Sequence, residues 1–594
     1  MSSSARILPS LVLALVFISG AGAAELPRIR AFRDKASGLV HPGIMLNPVQ
    51  IKRLRDHIAA GDEPWKSGFD WFLNYHVKGK GVVCGPNPRV YYMDWTQIDD
   101  PKIDDRMAWD GETAWLQVVA YALTGNVKNY ENACAILRRY TENIRGGKGH
   151  WDAHFRFAIA MKWFCAAAEL LKYIEPPSHA VPWSAADDEK FLALMEIGAG
   201  WADSRNAWMN QHQFCTAGLM AYAIFRNDGG RYREMVERAT ANSRSGEWGG
   251  NGGYGAMARW VESGNGEEGG GKRFVEWAEM GRDIGHPFAG AWASIETIKI
   301  MVSQGTKVDA ETGECFSRKE RKDFANSAAS ASLRETNPVH PLAFRDDALV
   351  RGVNYIYRYN LGFDCEWVPI DTKDTKAGVF ERISNKGGGR GRIPGGAEYL
   401  YDYYRYVRGW KDGEPDFKFI AWSHRVLGRE FPDAFLFMPE QAKGTAGEIY
   451  SGLVGEFDGS TRLRHFANWF LPDDSGAKRM KDEAEGRFVR LSKGDTVLPL
   501  FVKNGTFLGE GGPFEIRYRA AGKAGVQLIN PEDYGTEKDE SGKYKPVARF
   551  ALPATDGEWR TEEVALPDTV NRELVKLRFA TRTPPLDLAW VRLL

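Results

Sequence analysis

The sequence predicts a multidomain α+β protein: a long helical region followed by an antiparallel β-sandwich. Two observations carry this. From about residue 45 to 430 apolar residues recur at helical intervals, and from about 475 to 594 they alternate with polar ones. The chain, at 594 residues, is also longer than a single core ordinarily supports.

In the first region "DGETAWLQVVAYALTGNVKNYENACAILRRYTENI" lays Trp115, Val118, Val119 and Ala122 on one face. It turns at Thr124-Gly125-Asn126 and resumes with Ala133, Ile136 and Leu137. "FAIAMKWFCAAAELLKYI" continues with Trp163, Ala166, Ala167, Leu170 and Leu171, and further helical patterns cover about 187–203, 213–226, 231–242, 274–285 and 288–304. Successive helices with short turns predict stacked αα-hairpins. Glycine-rich stretches at 246–271 and 385–396 interrupt them. Long loops inside a compact domain tend to be functional, so both are read as covering a substrate, and the first brings Trp248 and Tyr254 into consideration.

In the second region "GPFEIRYRAAG" alternates Phe514, Ile516 and Tyr518 with Glu515, Arg517 and Arg519, and "LVKLRFA" does the same with Val575, Leu577 and Phe579. Short alternating runs between turn residues predict a sandwich over 475–594. Residues 431–474 are ambiguous: they are assigned to the connection between the halves, with extra strands as the alternative.

The chain opens "MSSSARILPSLVLALVFISGAGAAELP", with one Arg, an apolar run and an Ala-Gly-Ala cleavage signal. A signal peptide over 1–24 and a periplasmic or secreted protein are expected. No later segment holds 18 uncharged apolar residues, so no membrane partner is expected. Lys plus Arg and Asp plus Glu number 78 each, and without a basic block no nucleic acid is expected either. Cys134, Cys165 and Cys215 lie in apolar helical patterns and read as buried thiols. The 20 Trp and 22 Tyr suit sugar rings, although a large core uses them too.

"EMGRDIGH" places Glu279, Arg282, Asp283 and His286 where a helix would present core residues. Either this is a buried salt-bridge cluster, expensive to desolvate, or it serves function. Pro287 disfavours helical geometry at His286, which points His286 toward a break and open space. Asn210, Gln211 and His212 stand just before an apolar helix, as caps or as a second polar group. In "YLYDYYRYVRGW" Tyr401 and Tyr404 belong either to a packed aromatic helix or to the wall of a cleft.

These segments resemble the alginate-lyase-like family of polysaccharide lyases. The likeness is carried by "EMGRDIGH" before a long apolar helix, "NQH" leading into "AGLMAYAIFRND", "DGETAWLQVVAYALTGNVKNYENACAIL", "HPGIMLNPVQIKRLRDHI" and "GGAEYLYDYYRYVRG". The resemblance implies an (α/α) toroid or incomplete barrel over about 37–430. It also implies cleavage of a uronate-containing polysaccharide, of alginate or glucuronan type, by metal-independent β-elimination without a cofactor. Such a reaction needs groups that stabilise an enolate-like dianion, a base for the C5 proton and an acid for the leaving O4.

By resemblance Asn210 and His212 fall on the family's Asn/His site and Arg282 on its arginine, all three stabilising charge. Gln211 stands between Asn210 and His212, and Phe288 where relatives carry a tyrosine. Proton transfer is therefore assigned first to His286 and second to Tyr254. Glu279 is expected to orient Arg282; Gln211, Glu279, Tyr401, Tyr404 and Trp248 are expected to bind substrate. The final domain resembles a family 6 type carbohydrate-binding module through "GPFEIRYR", "DGEW" and "LAWVRLL", with Ala589 before Trp590. Two other classes stay open. One is a glycoside hydrolase on a similar toroid, for which Asp105, Asp110, Glu112 and Asp152 are available but unpaired in the sequence. The other is a glycan-binding protein without catalysis.

Overall fold

The structure, a computed structural model, describes residues 26–73, 101–143, 153–203, 208–240, 252–262, 273–283, 285–316, 338–360, 365–372, 377–384, 396–427, 433–445, 467–470, 476–501, 514–529, 546, 548–565, 576–580 and 585–593. It is a mixed protein of helices and antiparallel sheets, with the helices first.

The helices are α1 (Pro48–Ala60), α2 (Trp65–Phe72), α3 (Pro101–Thr124), α4 (Val127–Asn143), α5 (Ala153–Tyr173), α6 (Ala185–Ala202), α7 (Met209–Phe225), α8 (Gly229–Thr240), the single turn α9 (Tyr254–Met257), α10 (His286–Gln304), α11 (Phe344–Asn360), α12 (Glu398–Asp402) and α13 (Lys418–Leu427). Their ends follow from local chemistry. Asn47 accepts from the Gln50 backbone while Gln50 reaches back to the Asn47 N–H, and α1 stops at Gly61 in the left-handed conformation. Ser184 and Asp187 form the same reciprocal cap on α6. Each such cap stabilises by about 1 kcal/mol.

Helices α3, α5, α7 and α10 pack side by side in that order, with α4, α6 and α8 behind them as a second layer. Small residues set the close approach. Gly111 of α3 meets Ala160 and Trp163 of α5, and Gly218 of α7 lies against the Ala158 backbone, where a Cβ would collide. The shared core buries Trp65, Trp115, Tyr130, Phe157 and Phe164 completely. Cys134, Cys165 and Cys215 are buried free thiols within this region.

Residues 274–285 are not the helix that the periodicity predicts. Arg273–Trp277 is a strand paired antiparallel with Ala258–Glu262, followed by a 3-10 turn at Ala278–Gly281. The run "RFVEW" alternates as well as it spirals, and its partner strand lies within the stretch read as a glycine loop. The hairpin therefore replaces both expectations there.

The C-terminal strands form two five-stranded antiparallel sheets. One runs Ala467–Phe470, Thr496–Phe501, Lys576–Phe579, Ala524–Ile529, Ala548–Leu552 in spatial order; the other runs Lys478–Asp482, Gly486–Leu491, Leu586–Leu593, Phe514–Ala520, Arg560–Val564. Val497, Val526, Leu528 and Phe579 of the first share one hydrophobic cluster with Leu491, Ile516, Tyr518 and Leu588 of the second. Pairing between Phe514–Ala520 and Leu586–Leu593 shifts register so that Ala589 bulges out of the ladder. Residues assigned to the connection divide: Phe435, Leu436, Phe437 and Met438 sit in the helical core, while Ala467–Phe470 is a strand of the first sheet.

Candidate functional site

Four polar side chains gather where the 3-10 turn hands over to α10. Asp283 ends the turn, and its Oδ1 accepts the backbone N–H groups of Gly285 and His286, both at 2.8 Å. These are the orphan donors of a helix start, so Asp283 is chiefly a cap for α10. Pro287 sits in the first turn, where its missing N–H leaves no gap. The other Asp283 oxygen pairs with His286 Nδ1. A carboxylate on Nδ1 fixes the tautomer and leaves Nε2 to act as an acceptor. Burial works to raise the Asp283 carboxyl, but His286 and the two backbone donors outweigh it and hold it below the usual range. The His286 side chain keeps 39% of its surface exposed.

Arg282 donates from Nη1 to Glu279 Oε1 at 3.1 Å, and its Nε lies 3.7 Å from Asp283. Glu279 has no exposed surface, and burial pushes its carboxyl up to about 7 even beside Arg282 and His286. Its second oxygen has no partner among the described residues. Glu279 thus orients Arg282 from beneath without neutralising it fully near pH 7.

The guanidinium of Arg282 lies 5.2 Å from the Trp208 ring centroid, within cation–π range. Trp208 is the residue before α7, and Met209 follows with φ of 45°, a strained backbone for a side chain of that size. This kink starts α7 with Asn210 and Gln211. Asn210 is buried, and its Oδ1 has no partner among the described residues. Gln211 Oε1 lies 3.2 Å from His154 Nε2 of α5. The segments around 210 and 282 therefore meet, through Trp208 and Arg282.

His212 does not join them. It faces the second layer, where Nε2 donates to the Arg238 carbonyl at 3.0 Å and Gly252 lies against its ring. Burial, with the Arg238 charge adding to it, pushes the imidazole down to about 3. A neutral, enclosed His212 cannot stabilise a substrate's charge, which corrects that expectation. Tyr254 is likewise enclosed: its hydroxyl donates to the Pro341 carbonyl at 2.8 Å and burial raises its pKa, so it is not placed to move a proton. Tyr401 stacks on His424 at 3.9 Å, and the Tyr404 hydroxyl bonds Leu342 O and Asp347 within the core. Both are packing residues and not a cleft wall. Trp248 lies outside the described residues.

A second polar group, which sequence reasoning missed except for Glu112, lies further along α10. Glu112, Trp163, Trp292, Glu296, Lys299, Gly396, Glu398, Tyr399, Asp433, Ala434 and Phe437 line a pocket of about 500 Å³, counting space open to solvent. Lys162 and Lys299 both bond Glu296, at 3.0 and 2.7 Å, and outweigh its burial to hold it down to about 2. Burial, then the charge of Asp433, pushes Glu112 up to about 7; burial pushes Asp433 up to about 6. The signal was present in "WASIETIKI", where Trp292, Glu296 and Lys299 share one face of an otherwise apolar helix.

In the C-terminal sheets Trp559 is covered by Arg519, whose guanidinium lies 4.5 Å from its ring, and it donates to Asp482. Arg490 and Arg519 both bond Asp587.

No protein-family model matches the chain, and no curated protein matches it. Among solved structures, a glycoside hydrolase family 43 arabinoxylan arabinofuranohydrolase from Bacillus subtilis, in complex with cellotetraose, is similar at 18% identity and a TM-score of 0.15. The match covers 21% of this chain and 26% of that one, and at that TM-score it carries no argument about fold or chemistry.

Proposed function

We propose that the protein is an exported polysaccharide lyase of the alginate-lyase-like kind, cleaving a uronic-acid-containing polysaccharide by β-elimination. In this reading the layered helices belong to an (α/α) toroid and the two C-terminal sheets to an accessory β-sandwich. The observation that carries the proposal is the meeting of Arg282, paired with a buried Glu279 and next to the Asp283–His286 couple, with Trp208, the residue before α7.

The chemistry follows from these groups. A uronate carboxylate docks against Arg282 and the Asn210 amide, which stabilise the charge that develops when the C5–H bond breaks. His286 accepts that proton at Nε2 while Asp283 stabilises the imidazolium. The C5–H electron pair forms the C4=C5 double bond and the C4–O4 bond breaks. The proton carried by His286 is then available to the departing O4. Near neutral pH Glu279 is partly protonated, which leaves more of the Arg282 charge for the substrate.

Incubation with purified uronate polymers tests this. A lyase releases chains with an unsaturated, ultraviolet-absorbing end. Reducing ends without that absorbance would mean hydrolysis, and binding without turnover on a broad panel would mean a glycan-binding protein.

A further inference from the structure

We propose that Phe380 is a positioning residue for Arg282: its ring touches both the turn that carries Arg282 and the Trp208 ring, and so fixes the cation against that aromatic face. The effect on turnover rests on the lyase reading above; the packing argument does not.

The backbone around Phe380 is fixed first. Arg282 follows an arm made of the Ala258–Glu262 and Arg273–Trp277 hairpin and the Ala278–Gly281 turn. Segments 365–372 and 377–384 are bonded to this arm at two places. Val368 donates its N–H to the buried Glu276 carboxylate at 3.0 Å, while Arg259 pairs with Glu276 and donates to the Val368 carbonyl. Ser384 donates its N–H to the Met280 carbonyl at 2.8 Å. Ile370–Asp371 pairs antiparallel with Val379–Phe380, and the Trp367 indole donates to the Phe380 carbonyl at 2.9 Å. None of these bonds uses the Phe380 side chain, so the ring is free to serve packing alone.

That ring meets two neighbours. It lies 6.2 Å from the Trp208 ring, centroid to centroid, at 62°, an edge-to-face contact. It also closes on Gly281, where a Cβ would fall 2.4 Å from Phe380 Cβ and 2.6 Å from its Cγ. Gly281 does not have a left-handed backbone, so its glycine is required by this approach and not by conformation. The glycine of EMGRDIGH thus has a cause outside its own segment. Trp208 in turn faces the Arg282 guanidinium at 5.2 Å, and Glu279 holds Arg282 Nη1 at 3.1 Å. Phe380 therefore contacts the residue before Arg282 and the ring against which Arg282 rests. With the ring gone, Trp208 loses an edge contact and the turn loses its stop, and the guanidinium moves with them. A shift of about 1 Å at a charge stabiliser is enough to lower turnover by about 10²-fold.

The test is a double-variant cycle in the full chain with Phe380→Leu, Arg282→Ala and both together, read by steady-state kinetics on a uronate polymer and by denaturant unfolding. We expect Phe380→Leu to lower kcat by about 10–100-fold, with KM changed by less than about threefold. Because Phe380 acts through Arg282, the double variant should turn over no more slowly than Arg282→Ala alone. It should also lose less stability than the two single variants added together. A wild-type kcat in Phe380→Leu, kcat penalties that multiply in the double variant, or stability losses that add would each overturn the inference. Phe380→Met takes the place of Phe380→Leu should the latter not fold. If wild type releases no ultraviolet-absorbing product from any uronate polymer, the lyase reading fails, and the unfolding cycle alone then decides whether Phe380 and Arg282 are coupled.

Discussion

The Arg282 guanidinium rests 5.2 Å from the centre of the Trp208 ring, so the turn before α10 and the start of α7 meet at a cation held against an aromatic face. Arg282→Ala removes the positive group nearest the proposed uronate carboxylate. Loss of one preorganised charge stabiliser costs about 10²–10³-fold in kcat. Arg282→Lys keeps the charge but not the planar fork on Trp208, and recovery should be partial. Steady-state kinetics on a uronate polymer would check both.

Asp283 holds the Nδ1 side of His286 and caps α10 at once. Asp283→Asn can still cap the helix but no longer stabilises an imidazolium. We expect kcat to fall by about 10–100-fold with the melting temperature little changed. A variant that loses stability and activity in proportion would instead mark Asp283 as a cap alone.

His212 gives the opposite pattern. Its Nε2 serves the Arg238 carbonyl inside the helical layers. His212→Ala leaves that carbonyl without its donor and opens a gap against Gly252, a loss of about 1–3 kcal/mol. The folded fraction should turn over at close to the wild-type rate, measured after correction for active protein. A hundredfold drop in kcat in a stably folded His212→Ala would restore it to the site.

Buried acids set the pH dependence. Glu279 and Glu112 titrate near 7 and Asp433 near 6, all raised first by burial. An acid raised in the folded state binds its proton there more tightly than in the unfolded chain. Stability from these groups is therefore full below the ordinary carboxylate range, near 4, and is lost as pH climbs through 6 to 7. Glu279→Gln removes one such titration, worth roughly 3 kcal/mol across the window by the usual conversion. Its unfolding midpoint should fall less between pH 5 and pH 8 than that of wild type, read by chemical denaturation at each pH.

Legibility in the sequence followed how local the cause was. The αα-hairpin pattern from 113 to 173, the Thr124-Gly125 turn and the alternating strands at 514–520 depend on neighbours in the chain, and all could be read. "RFVEWAEMGRDIGH" could not, because its strand needs the partner at 258–262 and its helical period is a coincidence broken at Gly281. For the site, the orienting pair Glu279–Arg282 follows from short spacing. The direction His212 faces depends on α8 packing against α7, and the acidic pocket is assembled from α3, α5, α10 and two distant segments. Only Trp292, Glu296 and Lys299 announced it in one stretch.

The most direct measurement of the central claim is absorbance of unsaturated uronate ends, followed over time with wild type, Arg282→Ala and His286→Ala on uronate-containing polymers. The account predicts steady growth with wild type and a fall of about 10²-fold or more with either variant. Growth at the wild-type rate in either variant, or no absorbance from wild type on any uronate polymer, would contradict it.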